Sequence, residues 1–289
     1  MRLLLFLVLL INLFLLSSCK KYKPAEAAFF IKPEAITVTP TSSLQGSGSH
    51  KITDLWLYVN GKFQGAYPTG NLMPVITKNE KVKVNILAGI KNNGISDTRT
   101  SWLFYDFITI DTLVESGTTL TQPLSFKYHP NTKFEWMEDF EGAGYTLVKS
   151  IGTVNGSGNS SVTWTLSPAS EAFEGKSAVI DMSGLFTGAV AQVESAVTHT
   201  LPLASANVYL EINYKCNERF EVGVISGSTT KSTVFVTPSE NWNKIYIHLA
   251  DALNREPNST AQKIYFKMVK NGDIPNQKMY LDNIKVIYL

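Results

Sequence analysis

The sequence predicts an all-β protein built as two β-sandwich domains, and three observations lead to this prediction. Apolar residues alternate with polar ones in several short runs, as at Ile264, Phe266 and Met268. Because successive side chains of a strand face opposite ways, this period of two is typical of half-buried strands. Turn-forming pairs such as Asn60-Gly61 separate the runs. No long stretch has a helical period, so the pattern favours sandwiches with little helix.

The first element is a targeting segment at the N-terminus. Arg2 is the only charge before Lys20, and residues 3–16 are apolar except for Asn12. A basic start followed by a short apolar run is typical of a secretory signal peptide. The run is too short for a transmembrane helix, which needs about 20 apolar residues. We therefore expect residues 1–18 to be a signal peptide.

The run ends in Leu16-Ser17-Ser18-Cys19, which resembles the lipobox of bacterial lipoproteins. The resemblance implies cleavage before Cys19 and lipidation of its thiol. The protein would then be a lipoprotein of the cell envelope, anchored by its acyl chains to the outer membrane. The sequence does not specify which side of that membrane it faces. The alternative is an ordinary signal with a chance cysteine. Residues 19–29 are then an acylated tether, whose lysines contact anionic head groups or are simply solvated.

Charge and cysteine content exclude several classes of protein. The net charge is +2, and without the signal peptide it is still close to zero, so no footprint for nucleic acid is expected. Besides Cys19 the chain has one further cysteine, Cys216, which excludes a disulfide framework and a cysteine-based zinc site. Cys216 shares strand parity with Val208, Leu210 and Ile212, so it is predicted to be a small buried hydrophobe rather than a reactive thiol.

We place a domain boundary near Phe134, between residues 30–134 and residues 135–289. The first unit has a strand, a turn, a second glycine and a proline over residues 55–68, followed by a strand at 81–87. This order is similar to PEGA and carboxypeptidase regulatory-like domains. The resemblance implies an Ig-like sandwich that serves as a spacer or an interaction module.

The second unit carries four blocks in order: DFEG at 139–142, FEGKSAVI at 173–180, WNKIYIHL at 242–249 and MYLDNIKV at 279–286. They resemble the jelly-roll carbohydrate-binding modules with a galactose-binding-like fold. The resemblance implies a jelly roll that binds glycan or serves as a non-binding structural module.

Nothing in the sequence predicts an enzyme. The four histidines are not paired at metal-ligand spacing, and no G-x-S-x-G elbow, Walker loop or H-E-x-x-H motif occurs. Aromatic residues are the better guide, because flat rings pack against the apolar C–H faces of sugars. We take Trp164, Tyr214 and Trp242 as candidate carbohydrate-binding residues, with Trp164 first. Tyr214 has inward parity, and in the resembled modules the position of Trp242 packs at the sandwich edge.

The resemblance also implies one structural calcium ion. In such modules the two ends of the jelly roll lie side by side, which brings Glu141 and Asp282 together with backbone carbonyls near Lys176. Calcium prefers six to eight oxygen ligands of this kind. The alternative is that Asp282 and Asn283 hydrogen-bond loop amides. No other cofactor is expected.

The sequence therefore predicts a membrane-anchored envelope lipoprotein whose jelly roll binds glycan beyond a spacer domain. The alternative is a non-catalytic structural lipoprotein that binds another envelope protein through its sheet edges.

Overall fold

The computed structural model describes residues 28–76, 80–150, 162–202, 207–254 and 261–289. The predicted signal peptide and Cys19 lie outside these ranges. The strands are, in chain order, β1 Ala28–Val38, β2 Asp54–Val59, β3 Lys62–Pro68, β4 Met73–Ile76, β5 Val82–Lys91, β6 Arg99–Ser101, β7 Ile108–Thr112, β8 Thr119–Phe126, β9 Lys133–Glu138, β10 Leu147–Lys149, β11 Thr165–Leu166, β12 Ala178–Asp181, β13 Val190–Ser195, β14 Val208–Cys216, β15 Phe220–Ser226, β16 Thr229–Val236, β17 Ser239–His248, β18 Gln262–Val269 and β19 Lys278–Tyr288. One short helix is described, α1 at Ala250–Asn254, with a 3-10 turn at Ser43–Gln45. No helix in the described ranges has the length and hydropathy needed to cross a bilayer.

The predicted all-β fold of sandwich domains is confirmed. The first unit packs a three-stranded sheet, β4-β1-β8, against a sheet of order β3-β2-β5-β6, to which β7 adds beside β5. Asn60 and Gly61 join β2 to β3 with φ of 48° and 77°, the left-handed geometry that an Asn-Gly turn supplies. The alternation in β5 is also as predicted, because Val82, Val84 and Ile86 are buried.

The second unit also packs two sheets around one core. One sheet has the order β11-β12-β19-β14-β17, with β9 added beside β19, and we name it the interface sheet. The other has the order β10-β13-β18-β15-β16, and we name it the open sheet. Their inward residues, among them Leu210, Val222 and Phe266, form one apolar cluster. Cys216 is part of that cluster, which confirms the predicted buried position, and burial raises the pKa of its thiol to about 11.

The first unit covers part of the outward face of the interface sheet. The ring of Trp102 packs against Tyr209 and Tyr246, at centroid distances of 4.8 and 4.6 Å. These two tyrosines and Ile287 belong to the apolar cluster of the first unit. The interface sheet is thus buried on both faces over this stretch.

The structure differs from the predicted tether at one end. Strand β1 begins at Ala28, inside the range 19–29, because Phe29 lies fully buried in the first core. Strand β9 begins at Lys133, just ahead of the predicted boundary. Apart from Tyr209, Tyr246 and Ile287, the two apolar clusters divide near this point along the chain. The domain limits themselves stay a prediction.

Candidate functional site

The outward face of the open sheet carries a row of polar side chains that ends in an aromatic ring. Gln192, Lys267, Glu221 and Phe235 stand opposite one another across β13, β18, β15 and β16. Their strand neighbours, such as Val222, point into the core. Because side chains alternate along a strand, the whole row must face outward.

Two ion pairs bracket a tyrosine on this face. Lys267 Nζ contacts Glu221 Oε2, and Lys263 Nζ lies 2.9 Å from Glu194 Oε1. Tyr265 donates its phenolic hydrogen to Glu221 Oε1 at 2.5 Å, and burial raises the pKa of this phenol well above its usual range. These groups are fixed in position and largely buried, because Glu221 and Lys267 are each 7% exposed and Tyr265 is fully buried.

A glycine lets the tyrosine lie flat on the sheet. A Cβ at Gly223 would stand only 2.6 Å from Tyr265 Cε1 and 2.2 Å from the carbonyl oxygen of Lys231. Both distances are too short for a side chain, so only glycine allows this close packing.

A cleft opens beside Phe235 at the end of the row. Phe235 is 56% exposed, and the Arg219 guanidinium lies 5.5 Å from the centre of its ring. The cleft has a volume of about 580 Å³, and Lys267 and Asn271 line its far side. Asn271 Nδ2 donates to Glu218 Oε2 at 2.7 Å. An exposed ring beside a guanidinium and an amide is chemically suited to stack on and hydrogen-bond a sugar.

The candidate tryptophan Trp164 lies elsewhere in the second unit. Its ring makes edge contacts with Phe140 and Tyr145 at 5.4 and 5.1 Å. Its indole N–H donates to the Leu147 carbonyl at 2.8 Å. The side chain is half-buried and packs against the core cluster.

The other two candidate aromatics lie on opposite faces of the interface sheet. Tyr214 faces the core and is buried, and its hydroxyl accepts a hydrogen bond from Asn243 Nδ2 at 3.0 Å. Trp242 faces outward and stacks edge-on against Phe173 at 5.5 Å, with Lys215 Nζ 5.5 Å above its ring. The ring contacts of Trp164, Tyr214 and Trp242 share no residue, so the structure does not bring the three together.

Sequence reasoning missed Phe235, although one signal was present. Phe235 stands between Val234 and Val236, and Val236 is buried while Val234 packs against the core. A large ring between two inward valines has to face outward. The other residues of the row are common surface types, and only strand pairing aligns them.

Glu141 and Asp282 both reach the loop before β12. Glu141 Oε1 accepts the Lys176 N–H at 2.6 Å. Asp282 accepts hydrogen bonds from Ser177 Oγ and the Asn283 N–H, each at 2.6 Å. Burial raises the pKa of Asp282 to about 7, and the negative charge of Glu174 adds to this effect. The carboxylate oxygens that these contacts involve accept hydrogen bonds from the protein, which is the hydrogen-bonding alternative of the sequence analysis; a calcium ion at this loop stays a prediction.

The carboxylate of Glu174 also acts on Asp282, but these acids do not form a ready set of metal ligands. In the described ranges, no group of three or more His, Cys, Asp and Glu side chains is placed to hold a metal ion. Any further ligands would have to be backbone carbonyls, as the sequence analysis expects.

Comparison with known proteins gives similarity to solved structures only. No protein-family model matches the chain, and no curated protein matches it. A family 29 carbohydrate-binding module is 10% identical, with a TM-score of 0.33, over 54% of this chain and 88% of that one. A family 30 module of a cellulosomal cellulase of Clostridium thermocellum is 17% identical, with a TM-score of 0.33, over 53% and 92%. A family 11 module of Clostridium thermocellum, in complex with a β-1,3-1,4-mixed-linked tetrasaccharide, is 15% identical, with a TM-score of 0.32, over 54% and 94%.

Proposed function

We propose that this chain is a non-catalytic, lipid-anchored envelope protein that binds glycan on the open sheet. The observation that carries the proposal is the exposed ring of Phe235, in register with Glu221 and Lys267 beside an open cleft. The ring supplies a stacking platform, and the polar row supplies hydrogen bonds to sugar hydroxyls. The cleft volume of about 580 Å³ lies within the usual range of ligand pockets, roughly 300–1,000 Å³.

Binding rather than hydrolysis suits the acids of this face. A glycosidase needs two carboxyl groups that flank the glycosidic bond of the sugar. One donates a proton to the leaving oxygen, and the other acts as the base or the nucleophile. Glu221 and Glu194 each contact a lysine, and Glu221 also accepts from Tyr265. Groups held in this way favour recognition of hydroxyls over proton transfer.

The test is a glycan array followed by calorimetry on the glycan that binds best. Phe235→Ala should weaken binding about fivefold, because one stacked ring contributes on the order of 1 kcal/mol. Phe107→Ala is the matched control, since Phe107 is 54% exposed on the first unit, and it should bind like the wild type. Equal affinity of the Phe235 variant would remove the open sheet as the site. If the wild type binds no glycan but is retained by another envelope protein, the structural alternative takes its place.

The lipid anchor is a separate part of the proposal and rests on the sequence around Cys19. Several acyl chains hold a protein firmly at a membrane, because each buried CH₂ contributes about 0.8 kcal/mol. Cys19→Ala should leave an uncleaved or soluble precursor in cell fractionation. Normal processing and membrane association of this variant, without acyl label, would contradict it.

We further propose that a calcium ion binds where Glu141 and Asp282 meet the loop carbonyls near Lys176. Its role would be stability, since an ion bound only to the folded state raises the free energy of unfolding by mass action. Chelator should lower the melting temperature of the wild type and leave that of Asp282→Asn unchanged. A wild-type melting temperature that does not respond to calcium or chelator would end this part of the proposal.

A further inference from the structure

The two units enclose a crevice next to the proposed glycan site. The turn after β5 is fixed to β17, because the Asn93 N–H donates to the Tyr246 carbonyl at 2.9 Å and Asn93 Oδ1 accepts the His248 N–H at 2.8 Å. Between this turn and β16–β17 lies a cavity of about 310 Å³. These two hydrogen bonds hold the turn at a fixed distance from β17.

Three lysines line the crevice. Lys51 and Lys91 come from the first unit and Lys244 from the second, and no Asp or Glu is among the described residues of the lining. The positive charge of Lys244 is balanced by Glu211, because Lys244 Nζ lies 2.7 Å from Glu211 Oε2. Among the residues that the structure describes, neither Lys51 nor Lys91 forms an ion pair.

Neutral oxygens hold these two lysines instead. Lys51 Nζ donates to Asn243 Oδ1, and Lys91 Nζ donates to Ser96 Oγ at 3.2 Å. Partial burial and the nearby positive charge of Lys91 lower the pKa of Lys51. An ammonium group has three donors, so both lysines keep hydrogens for a further acceptor.

Two exposed apolar side chains flank the mouth. Ile95 of the first unit is 50% exposed, and Phe235 of the second unit is 56% exposed. Phe235 lines this crevice and also the cleft on the open sheet. A saccharide that stacks on Phe235 therefore has a direct continuation into the cationic crevice.

We infer that this crevice binds the carboxylate of an acidic sugar residue, with Lys51 and Lys91 as its cationic partners. The sugar ring would lie between Ile95 and Phe235, and charge-assisted hydrogen bonds would hold the carboxylate. This inference rests on the proposed function and specifies its ligand as an acidic saccharide. Sulfate and phosphate share the same chemistry, so the experiment has to separate them.

The experiment uses the full folded chain and oligosaccharides in matched pairs, each containing a uronic acid or its carboxyl-reduced form. Titration calorimetry should show at least about tenfold tighter binding of the uronic acid member, as one charge-assisted contact provides. The double variant Lys51→Gln, Lys91→Gln should lose this preference and keep its affinity for the reduced member. Lys62→Gln is the matched control, because Lys62 is exposed on β3.

Each outcome is decisive. Equal binding of both members of a pair, or an unchanged preference in the double variant, overturns the inference and leaves glycan binding at Phe235 intact. Absence of binding to any saccharide overturns the proposed function as well. Sulfate ions that bind as tightly as the uronic acid, with the same lysine dependence, would show that the crevice binds inorganic anions. That result would overturn the inference that its ligand is an acidic saccharide.

Discussion

The two outward faces of the second unit each carry a glutamate–lysine ion pair beside a tyrosine, but the two groups have different surroundings. On the interface sheet, Glu211 pairs with Lys244 beside Tyr246. On the open sheet, Glu221 pairs with Lys267 beside Tyr265. The difference lies in what covers each face.

The first unit covers the interface group. Tyr128 donates to Glu211 at 3.0 Å, and Lys244 Nζ donates to the Ser49 carbonyl at 2.8 Å. The charges there are satisfied within the protein, so that face contributes to stability and to the placement of the two units. The group on the open sheet borders a cleft, where Glu221 and Lys267 are each 7% exposed and Tyr265 is fully buried, so only a small part of the ion pair is open to a ligand.

The largest expected effect concerns Trp102 of the first unit, whose ring packs on the covered face of the interface sheet. Trp102→Ala should lower the free energy of unfolding by about 3–5 kcal/mol, because it leaves a cavity among buried rings. Phe235→Ala on the open sheet should lower it by less than about 1 kcal/mol, since Phe235 is largely exposed. Urea denaturation measures both. Similar losses for the two variants would mean that the two faces do not differ in burial.

The next effect compares the two glutamates. Glu211→Gln should lower the free energy of unfolding by about 3 kcal/mol, because Lys244 and the neighbouring Lys285 lose their buried counter-charge. Glu221→Gln should lower it somewhat less, by about 2 kcal/mol, because the Glu221 and Lys267 side chains keep 9% and 8% of their exposure, against 0% and 2% for Glu211 and Lys244. Urea denaturation is again the measurement. A larger loss for Glu221 would reverse the comparison.

A smaller effect is the pH dependence of the free energy of unfolding that Lys285, at the interface, causes. Burial lowers its pKa to about 7, and the charge of Lys244 adds to this effect. Between about pH 7 and about pH 10 the unfolded chain binds this proton more strongly than the folded one, so the free energy of unfolding rises with pH through this window. Lys285→Met should remove about 2 kcal/mol of that rise between about pH 7.5 and about pH 9.5. Identical pH slopes for wild type and variant would contradict the pKa shift.

The fold class could be predicted from sequence because strand periodicity is local. The runs at β5, β17 and β18 and the Asn60-Gly61 turn needed no knowledge of distant residues. The site could not be predicted in the same way. Glu211 and Glu221 face outward from β14 and β15, which follow one another in the chain but belong to opposite sheets. Sequence alone does not reveal which of the two sheets Trp102 covers.

The predicted aromatic candidates illustrate the same gap. A large flat ring favours Trp164 and Trp242 as candidates from sequence, and the structure shows their indole N–H groups donating to carbonyls inside the unit. Their part in glycan binding stays a prediction. Phe235 gains its place only from strand register, which aligns it with Glu221.

The most direct test of the open sheet as the glycan site is an NMR titration of the isotope-labelled chain with the glycan that binds best on the array. We predict that amide signals of Glu221, Phe235 and Lys267 shift in proportion to occupancy, while those of Tyr209 and Glu211 stay unchanged. Shifts confined to the interface sheet, or to the surroundings of Trp242, would contradict the assignment of the site.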